Sequence, residues 1–463
     1  MLQVQFVALT IVLVSVAGFV LGRQRSLVLA DGKRRNLHSL PHYHGWFALL
    51  ATLLPGLIAL GLYLAFRQPV LDWLTLRQLP QHLADQGAGD VSLLMSRVQR
   101  AAAGADVLGG LPEGAAPVAD YLASAQRWAA WLAIPIVALP AFAGFAYSQS
   151  RLAPAFRARN MTEKIIRALM IACAVVAILT TFGIVMSVLF EAIRFFSRVS
   201  ILEFFTSLTW NPGTAIREDQ AAGAQQGEFG IIPLFAGTLL IATIAMTVAV
   251  PLGLLAAIYL SEYANRRVRG FLKPLLEILA GIPTVVYGVF AALTVGPFII
   301  DIGGSLGLDV GAKSALAAGS VMGIMIIPFI SSLSDDAITA VPQKLRDGAY
   351  MLGATQGEAI IKAVLPAALP GLVGAVLLAI SRAIGETMIV LLAAGLRANL
   401  TANPLDTTTT VTVQIASLLT GDQRFDSAKT LSAFALGLVL FVVTLMLNVG
   451  ALKFSQHYRE KYD

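Results

Sequence analysis

Nine long apolar runs, separated by polar segments, dominate the pattern of this chain. Each run has about 17 residues or more, the length that a helix needs to cross the hydrocarbon core of a bilayer. Because lipid offers no partners for backbone hydrogen bonds, we predict that every run is a helix. The predicted spans are Phe6–Gly22, Trp46–Phe66, Trp128–Tyr147, Ile166–Phe190, Ile231–Leu260, Leu275–Ile300, Ser314–Leu333, Leu369–Leu396 and Leu431–Leu452. The pattern therefore predicts an all-α, polytopic membrane protein.

Composition supports this prediction. The 463 residues are 57% hydrophobic and only 13% charged, with a mean hydropathy of +0.75. A soluble protein of this length needs far more polar surface. The pI near 9.5 does not point to nucleic acid, because excess Lys and Arg in a membrane protein usually faces anionic lipid. We therefore expect contact with membrane lipid and no nucleic-acid partner.

The polar segments differ in their content of Lys and Arg, which predicts the orientation of the chain. The richer set is 23–45, 151–167, 261–274, 336–368 and 453–463. The positive-inside rule places this set in the cytoplasm, with the N-terminus outside and the C-terminus cytoplasmic. Residues 1–22 have no basic n-region and no small-residue cleavage site, so we predict a retained helix and not a signal peptide.

The first three spans form an extra block, predicted as residues 1–160, ahead of a six-helix block, residues 161–463. The first basic loop carries three histidines, His38, His42 and His44. Such a loop favours lipid headgroups over a metal ion, and we predict no metal site. Segment 67–127 mixes apolar and charged residues, which is typical of an amphipathic helix on the membrane surface.

The polar loop before the eighth span, residues 336–366, contains strong local signals. Pro342 suits the first turn of a helix, and Gly353 suits a left-handed residue after its end. Thr355 and Glu358 have the spacing of a capping box for a second helix. We predict that this second helix ends near Val364, because the residue before Pro366 is disfavoured in helical geometry.

Six residues of this loop have the spacing of a known motif: Asp347, Gly348, Ala349, Gly353, Leu365 and Pro366. The segment resembles the EAA loop of ABC importer permeases, with Asp347 for Glu, Gly348 for the first Ala and Ala363 for Ile. The resemblance implies that these residues form a coupling helix that docks on an ATP-binding subunit.

Two charges lie inside the eighth predicted span. Arg382 is about 20 Å from either end at 1.5 Å per residue, where an arginine costs at least about 2.5 kcal/mol. Glu386 follows one helical turn later on the same face, so the two side chains can pair. Two interpretations remain open. The pair either fixes helix packing, or Arg382 binds a passing oxyanion while Glu386 holds the guanidinium in place.

Residues 382–388 read RAIGETM, and this string resembles the R-A-x-G-E-T-M segment of phosphate-specific importer permeases. The string GIPTVVYG at 281–288 also resembles that family, and the C-terminal span favours its PstC-type subunit. Ser381 replaces the glycine that usually precedes the arginine. The resemblance implies that Arg382 and Glu386 act in phosphate translocation.

The same resemblance implies a membrane-spanning permease subunit of an ATP-driven importer that moves inorganic phosphate across the bacterial cytoplasmic membrane. Its implied partners are a PstB-like ATP-binding subunit, a homologous PstA-like permease and an extracytoplasmic PstS-like phosphate-binding protein. The chain has no Walker A sequence, so we expect no ATPase site and no cofactor of its own, with ATP and Mg on the partner.

Several alternatives remain. The chain is also compatible with a PstA-like partner subunit or a permease for another oxyanion. A proton-coupled secondary transporter could use the same two charges, although it has no need of a docking loop. A phosphate-sensing membrane protein is a further alternative, and it does not exclude transport.

Overall fold

The computed structural model describes residues 2–80, 88–104, 111–112, 114–213, 228–420 and 427–459. The chain divides into two compact units, residues 1–179 and 180–463. The division falls inside one long helix, Ala158–Phe196. The predicted domain boundary at residue 160 stays a prediction.

The described residues fold almost entirely into helices. In chain order these are α1 (Leu2–Leu29), α2 (Pro41–Arg77), α3 (Ala88–Ala102), α4 (Ala116–Arg151), α5 (Ala158–Phe196), α6 (Ile201–Thr206), α7 (Ile232–Ile258), α8 (Arg266–Ala280), α9 (Thr284–Phe290), α10 (Gly296–Ser305), α11 (Ala315–Thr339), α12 (Gln343–Met351), α13 (Gln356–Ala359), α14 (Leu365–Ile384), α15 (Met388–Ala393), α16 (Val411–Leu418) and α17 (Ala428–Arg459). Within the described ranges, nine helical segments are long and apolar enough to cross a membrane, which confirms the predicted number.

Three further segments are π-helical turns, at Tyr259–Tyr263, Ala291–Val295 and Ile360–Val364. They follow α7, α9 and α13 and widen the helix locally. The second and third turns lie between helical segments. The first is followed by Ala264 in an extended conformation. Such turns recur near functional sites.

In the first unit, α1, α2 and α4 pack together through small residues. A side chain at Gly144 would clash with the carbonyl oxygen of Ala51, and one at Gly22 would press on the methyl group of Ala48. Small residues let helix backbones approach closely, which is how membrane helices commonly associate. The first unit is thus held by close backbone packing.

Helices α2 and α4 have 37 and 36 residues, or about 55 Å at 1.5 Å per residue. They are longer than a hydrocarbon core of about 30 Å. The C-terminal end of α2, the N-terminal end of α4 and α3 share a buried apolar cluster, which includes Leu71, Val98 and Leu122. The described part of segment 67–127 is therefore a packed helical layer. Helix α3 packs its apolar face against the ends of α2 and α4, and its predicted place on the membrane surface stays a prediction.

In the second unit, α7 and α11 form the central pair. Side chains at Gly319 and Gly323 of α11 would clash with Ile244 and with the carbonyl oxygen of Ala245 on α7. A large buried cluster surrounds this contact and includes Met322 and Ile326. The two helices therefore form a close-packed support for the elements around them.

The sixth predicted span, Leu275–Ile300, begins too early. The structure has a separate helix, α8, that ends at Ala280, and the membrane-length segment starts at Thr284. Pro283 disfavours helical geometry in the residue before it, which explains the break. Arg269 and Lys273 of α8 both pair with the buried Asp335 of α11, at 2.9 and 2.7 Å.

A two-stranded antiparallel ribbon follows α6. It pairs β1 (Trp210–Asn211) with β2 (Glu228–Phe229). Trp210 is buried, and its indole N–H donates to Oε1 of Gln414 at 3.1 Å. The ribbon is therefore fastened to α16 through one buried hydrogen bond.

Candidate functional site

The polar loop before α14 forms the helix–turn–helix that the sequence predicts. Helix α12 ends at Met351, and Gly353 has a φ of +84°. Thr355 then caps α13 in a capping box with Glu358. The positive φ explains the glycine, because a side chain there would strain the backbone.

The motif residues occupy different surroundings in this loop. Asp347 is exposed and accepts a hydrogen bond from Gln343 within α12 at 3.1 Å, while Gly348 and Ala349 are half-buried. Leu365 packs against a buried cluster at the base of the loop, which includes Ile338 and Val364. The motif therefore combines residues on an exposed helix with a leucine that is packed against a buried cluster.

Pro366 does not end the second helix, and that prediction is wrong. The chain stays helical from Gln356 through to Ile384. A π-helical turn at Ile360–Val364 directly precedes the proline. Pro cannot donate a backbone hydrogen bond and crowds the carbonyl one turn earlier. The wider π turn absorbs this conflict, so the loop enters the membrane helix without a break.

The tip of the loop carries two apolar side chains that sequence reasoning missed. Met351 is 86% exposed and Leu352 is 91% exposed. They lie at the end of α12, directly before Gly353. A pair of large apolar residues that a short helix holds in solvent is typical of a surface that a partner covers. Their exposure could have been inferred from the sequence, since both residues come just before the predicted glycine turn.

A buried ion pair anchors the root of the loop, and it was also missed. Nη2 of Arg346 lies 2.8 Å from Oε1 of Glu262, and the two side chains are 11% and 8% exposed. Glu262 belongs to the π turn that follows α7. The two residues are far apart in sequence, so no local pattern indicates the pair.

The predicted pairing of Arg382 with Glu386 is wrong in this structure. Helix α14 ends at Ile384, and Gly385 and Glu386 lie in a non-helical break before α15. Within the described residues, no carboxylate oxygen lies within 4.0 Å of the Arg382 guanidinium. The one-turn spacing rule needs a continuous helix, and here the helix stops between the two residues.

Glu386 instead caps the start of α15. Its Oε1 accepts hydrogen bonds from the backbone N–H groups of Met388 and Ile389, at 3.0 and 3.3 Å. Its own carbonyl oxygen accepts a bond from Oγ1 of Thr412 at 2.8 Å. The carboxylate therefore stabilises the break in the helix.

Arg382 is exposed on the surface of the second unit. Its guanidinium carbon lies 5.6 Å from the centre of the Phe329 ring, a cation–π distance. The predicted distance of Arg382 from the outer end of its span relied on a helix reaching Leu396. Since α14 ends at Ile384, only the inner distance of about 20 Å from Leu369, at 1.5 Å per residue, still applies.

The chain between α15 and α16 is non-helical, and its end at residues 408–410 is buried. Thr408, Thr409 and Thr410 are buried, and the carbonyl oxygen of Leu396 accepts a bond from Nε2 of Gln414 at 2.7 Å. Irregular backbone near membrane depth is stable only where protein or water covers it. The predicted span Leu369–Leu396 is therefore corrected to a helix, a break, a short helix and the start of a non-helical segment.

A groove of about 550 Å³ runs along α7 and α14. Its walls are almost entirely apolar, with Thr243 and Thr247 as polar exceptions, and α14 contributes Ile380 and Ile384. Arg382 lies two residues from each of these, on a different face of the helix at 100° per residue. The groove therefore does not contain the arginine.

Two family profiles match the chain. One, described as a phosphate ATP-binding cassette transporter, matches residues 8–180. The other, described as a binding-protein-dependent transport system inner membrane component, matches residues 249–459. Each of the two units of the chain thus contains a profile match.

Curated relatives agree with these profiles. A probable ABC transporter permease protein, YqgH of Bacillus subtilis, is 33% identical over 299 residues, which cover 64% of this chain and 92% of the relative. The phosphate transport system permease protein PstC 1 of Mycobacterium tuberculosis is 34% identical over 278 residues, or 55% of this chain and 81% of the relative.

Among solved structures, a bacterial ABC transporter involved in the import of the acidic polysaccharide alginate matches with a TM-score of 0.43 and 17% identity. The match covers 64% of this chain and 99% of that chain. A likeness this distant carries no functional argument.

A relative that shares a third of its residues over nearly its whole length is a member of the same family. The helical membrane architecture and the helix–turn–helix loop are consistent with that assignment. The chain therefore belongs to the binding-protein-dependent transport-system inner-membrane components, as a PstC-type ABC permease.

Proposed function

We propose that this chain is the subunit of an ATP-driven importer that carries inorganic phosphate across the bacterial cytoplasmic membrane. One observation carries the proposal: Arg382 is an exposed cation in a membrane-length helix, without a carboxylate partner among the described residues. Facing lipid would cost an arginine at least about 2.5 kcal/mol. The surface around Arg382 therefore faces another subunit or a water-filled pathway.

The chemistry of the guanidinium fits phosphate. Arginine presents several N–H donors in a planar fork that matches two oxygens of an oxyanion, and it stays charged at all physiological pH values. Among the described residues, no carboxylate binds the guanidinium of Arg382, since Glu386 instead accepts backbone hydrogen bonds at the start of α15. The relatives named as phosphate transport permeases support phosphate as the anion.

The energy source in this proposal is a PstB-like ATPase that binds the loop at 343–364. Met351 and Leu352 would be buried in a cleft of that subunit, with exposed Asp347 beside them. ATP and Mg would be bound by the ATPase, because the chain has no Walker A sequence. The loop then lies in the cytoplasm, which agrees with the charge bias and places the N-terminus outside and the C-terminus inside.

Two further partners complete the proposal. A homologous PstA-like permease would cover the surface around Arg382, and the pathway would run between the two subunits. A PstS-like binding protein would deliver phosphate from outside. The wide exposure of apolar side chains on the nine span helices is consistent with contact with lipid and neighbouring subunits.

The variant Arg382→Gln tests this proposal. It keeps a polar side chain of similar reach but removes the charge and the fork, so phosphate uptake should fall at least tenfold in the assembled complex. Arg397→Gln is the matched control, since Arg397 is also exposed but lies beyond α15. Uptake by proteoliposomes is the measurement, with subunit stoichiometry checked on a gel. Normal uptake by Arg382→Gln would refute the pathway role.

A further inference from the structure

An arginine, Arg346, fastens the loop that carries the coupling motif to the π turn at the end of α7. Arg346 places both Nε and Nη2 on Oε1 of Glu262, at 3.2 and 2.8 Å. Both side chains are nearly buried, at 11% and 8% exposure. Arg346 lies on α12, directly before the motif residue Asp347. The contact therefore links the docking helix itself to the end of α7.

The same guanidinium also binds the end of a third helix. Its Nη1 donates to the carbonyl oxygen of Val341 at 2.6 Å, and its Nη2 donates to that of Ile338 at 2.8 Å. Gln356 of α13 adds a bond from its Nε2 to the carbonyl oxygen of Glu262 at 2.7 Å. Both sides of the loop are thus tied to the π turn that carries Glu262.

An apolar cluster lies at the same place and joins the same helices. Its buried members are Ala257, Ile338, Val341, Val364, Ala368 and Leu372. They come from the end of α7, the end of α11 and the start of the helix that follows the loop. Apolar packing is close but non-directional, whereas a buried, hydrogen-bonded ion pair fixes one relative orientation. The ion pair therefore sets the geometry that the cluster stabilises.

Two of the three π-helical turns meet at this junction. One, Tyr259–Tyr263, carries Glu262, and the other, Ile360–Val364, follows the loop. A π turn leaves a helix locally wide, and such turns recur where helices must adjust. The junction thus combines a rigid polar contact with two helices that can change their local winding.

Helix α7 leads from this junction to the helix that carries Arg382. Between Leu239 and Pro251 it lines one side of the groove, and Ile380 and Ile384 of α14 line the other. A displacement of the loop is therefore passed to α7 through the Glu262–Arg346 contact, and from α7 across the groove to α14, which carries Arg382 on another face. Helix α14 receives the same displacement directly, since it continues the loop.

We propose that Glu262 and Arg346 form a transmission joint, in which Arg346 is the positioning residue that transfers motion of the docking helix to α7. This inference rests on the proposed function, because it assigns a role within ATP-driven phosphate uptake. Without the joint, the ATPase still binds the exposed tip and hydrolyses ATP, but α7 no longer follows the loop. Loss of the joint therefore uncouples hydrolysis from transport.

The test uses the full complex in proteoliposomes and measures phosphate taken up per ATP hydrolysed. Arg346→Gln should retain ATP hydrolysis and lower uptake per ATP about tenfold, a size typical of coupling between sites. Glu262→Gln keeps the shape and an acceptor oxygen, so it should assemble even where Arg346→Gln does not, and its coupling should also fall. The double variant should be no worse than Arg346→Gln alone, because the two residues act through one contact.

Arg269→Gln is the matched control. Arg269 binds the buried Asp335 at 2.9 Å, and Lys273 remains on that carboxylate at 2.7 Å after the change. This pair joins α8 to α11, and within the described chain its members make no polar contact with residues 343–364. Uptake per ATP should therefore equal that of the unaltered complex.

Two results would overturn the joint alone: wild-type uptake per ATP in both single variants, or reduced assembly with a normal ratio in the complexes that do assemble. The second result would mean that the pair has only a structural role. If the unaltered complex takes up no phosphate, the proposed function fails and the joint falls with it. Phosphate uptake by the unaltered complex thus distinguishes failure of the joint from failure of the proposed function.

Discussion

The Glu386 carboxylate accepts two backbone N–H groups at the start of α15, and this contact fixes the position of its charge. Charge-assisted bonds of this kind are stronger than neutral ones. Glu386 thus has a structural task at the helix break, and the proposed binding of phosphate falls to Arg382 alone.

This division of tasks predicts an order of stability among variants of Glu386. Glu386→Gln keeps an acceptor oxygen for the two N–H groups, while Glu386→Ala leaves both without a side-chain partner, at a cost of about 1 kcal/mol. The thermal unfolding midpoint of the purified complex should fall further for Ala than for Gln. Equal midpoints for the two variants would contradict the capping role.

The pairing prediction failed for a reason that lies outside the local pattern. Arg382 and Glu386 have the right spacing for a continuous helix, and the only helix breaker between them is Gly385, which helices tolerate. The break is stabilised by Thr412, which is distant in sequence. The presence of two charges in the span was readable from the sequence, but their contact depends on tertiary structure.

At the scale of elements, the helix–turn–helix of the polar loop before α14 was predicted well because its signals are local. Gly353, Thr355 and Glu358 act within a few residues of one another, and the structure confirms their roles. The end of the second helix was predicted wrongly, because a π turn before Pro366 has no compositional signature. The anchor of the loop, Arg346 on Glu262, could not be predicted from either segment alone.

The left-handed turn of the loop predicts a position-specific effect of valine. Gly353 has a φ of +84°, and a Cβ atom at this position would have no neighbour within 4 Å. Gly353→Val therefore adds backbone strain and not a clash. The strain is about 1–2 kcal/mol, enough to displace α12 from α13. ATPase recovered with the purified complex should fall, and phosphate uptake should fall with it.

Gly270 supplies the control for this variant. A Cβ atom at Gly270 would also have open space around it, but Gly270 lies inside α8 and has no positive φ. Gly270→Val should therefore retain the ATPase. If Gly353→Val retained both the ATPase and transport, the turn would not matter for docking.

At the scale of the whole molecule, hydropathy predicted the number of spans because crossing a bilayer requires a minimum apolar length. The same rule could not show where helices continue past the membrane. Helices α2 and α4 do so and enclose a separate apolar cluster with α3. Nor could it show the non-helical segment after α15, where Thr407 donates to the distant carbonyl oxygen of Lys313 at 2.8 Å.

The second unit contains the exposed tip at Met351 and Leu352, the joint at Glu262 and Arg346, and the exposed Arg382. These three features follow one another along connected helices. In the proposed importer, the ATPase binds at the tip and phosphate binds at the arginine. Such an importer moves its anion only while a partner hydrolyses ATP, whereas a secondary transporter has no such requirement.

The most direct measurement is uptake of labelled phosphate by proteoliposomes that contain the complete complex, the binding protein and ATP on the side of the loop. We expect uptake that requires ATP, stops without ATP even under a proton gradient, and is not displaced by a tenfold excess of sulfate or molybdate. Uptake driven by the proton gradient without ATP, or ATP-driven uptake of another oxyanion in preference to phosphate, would contradict it.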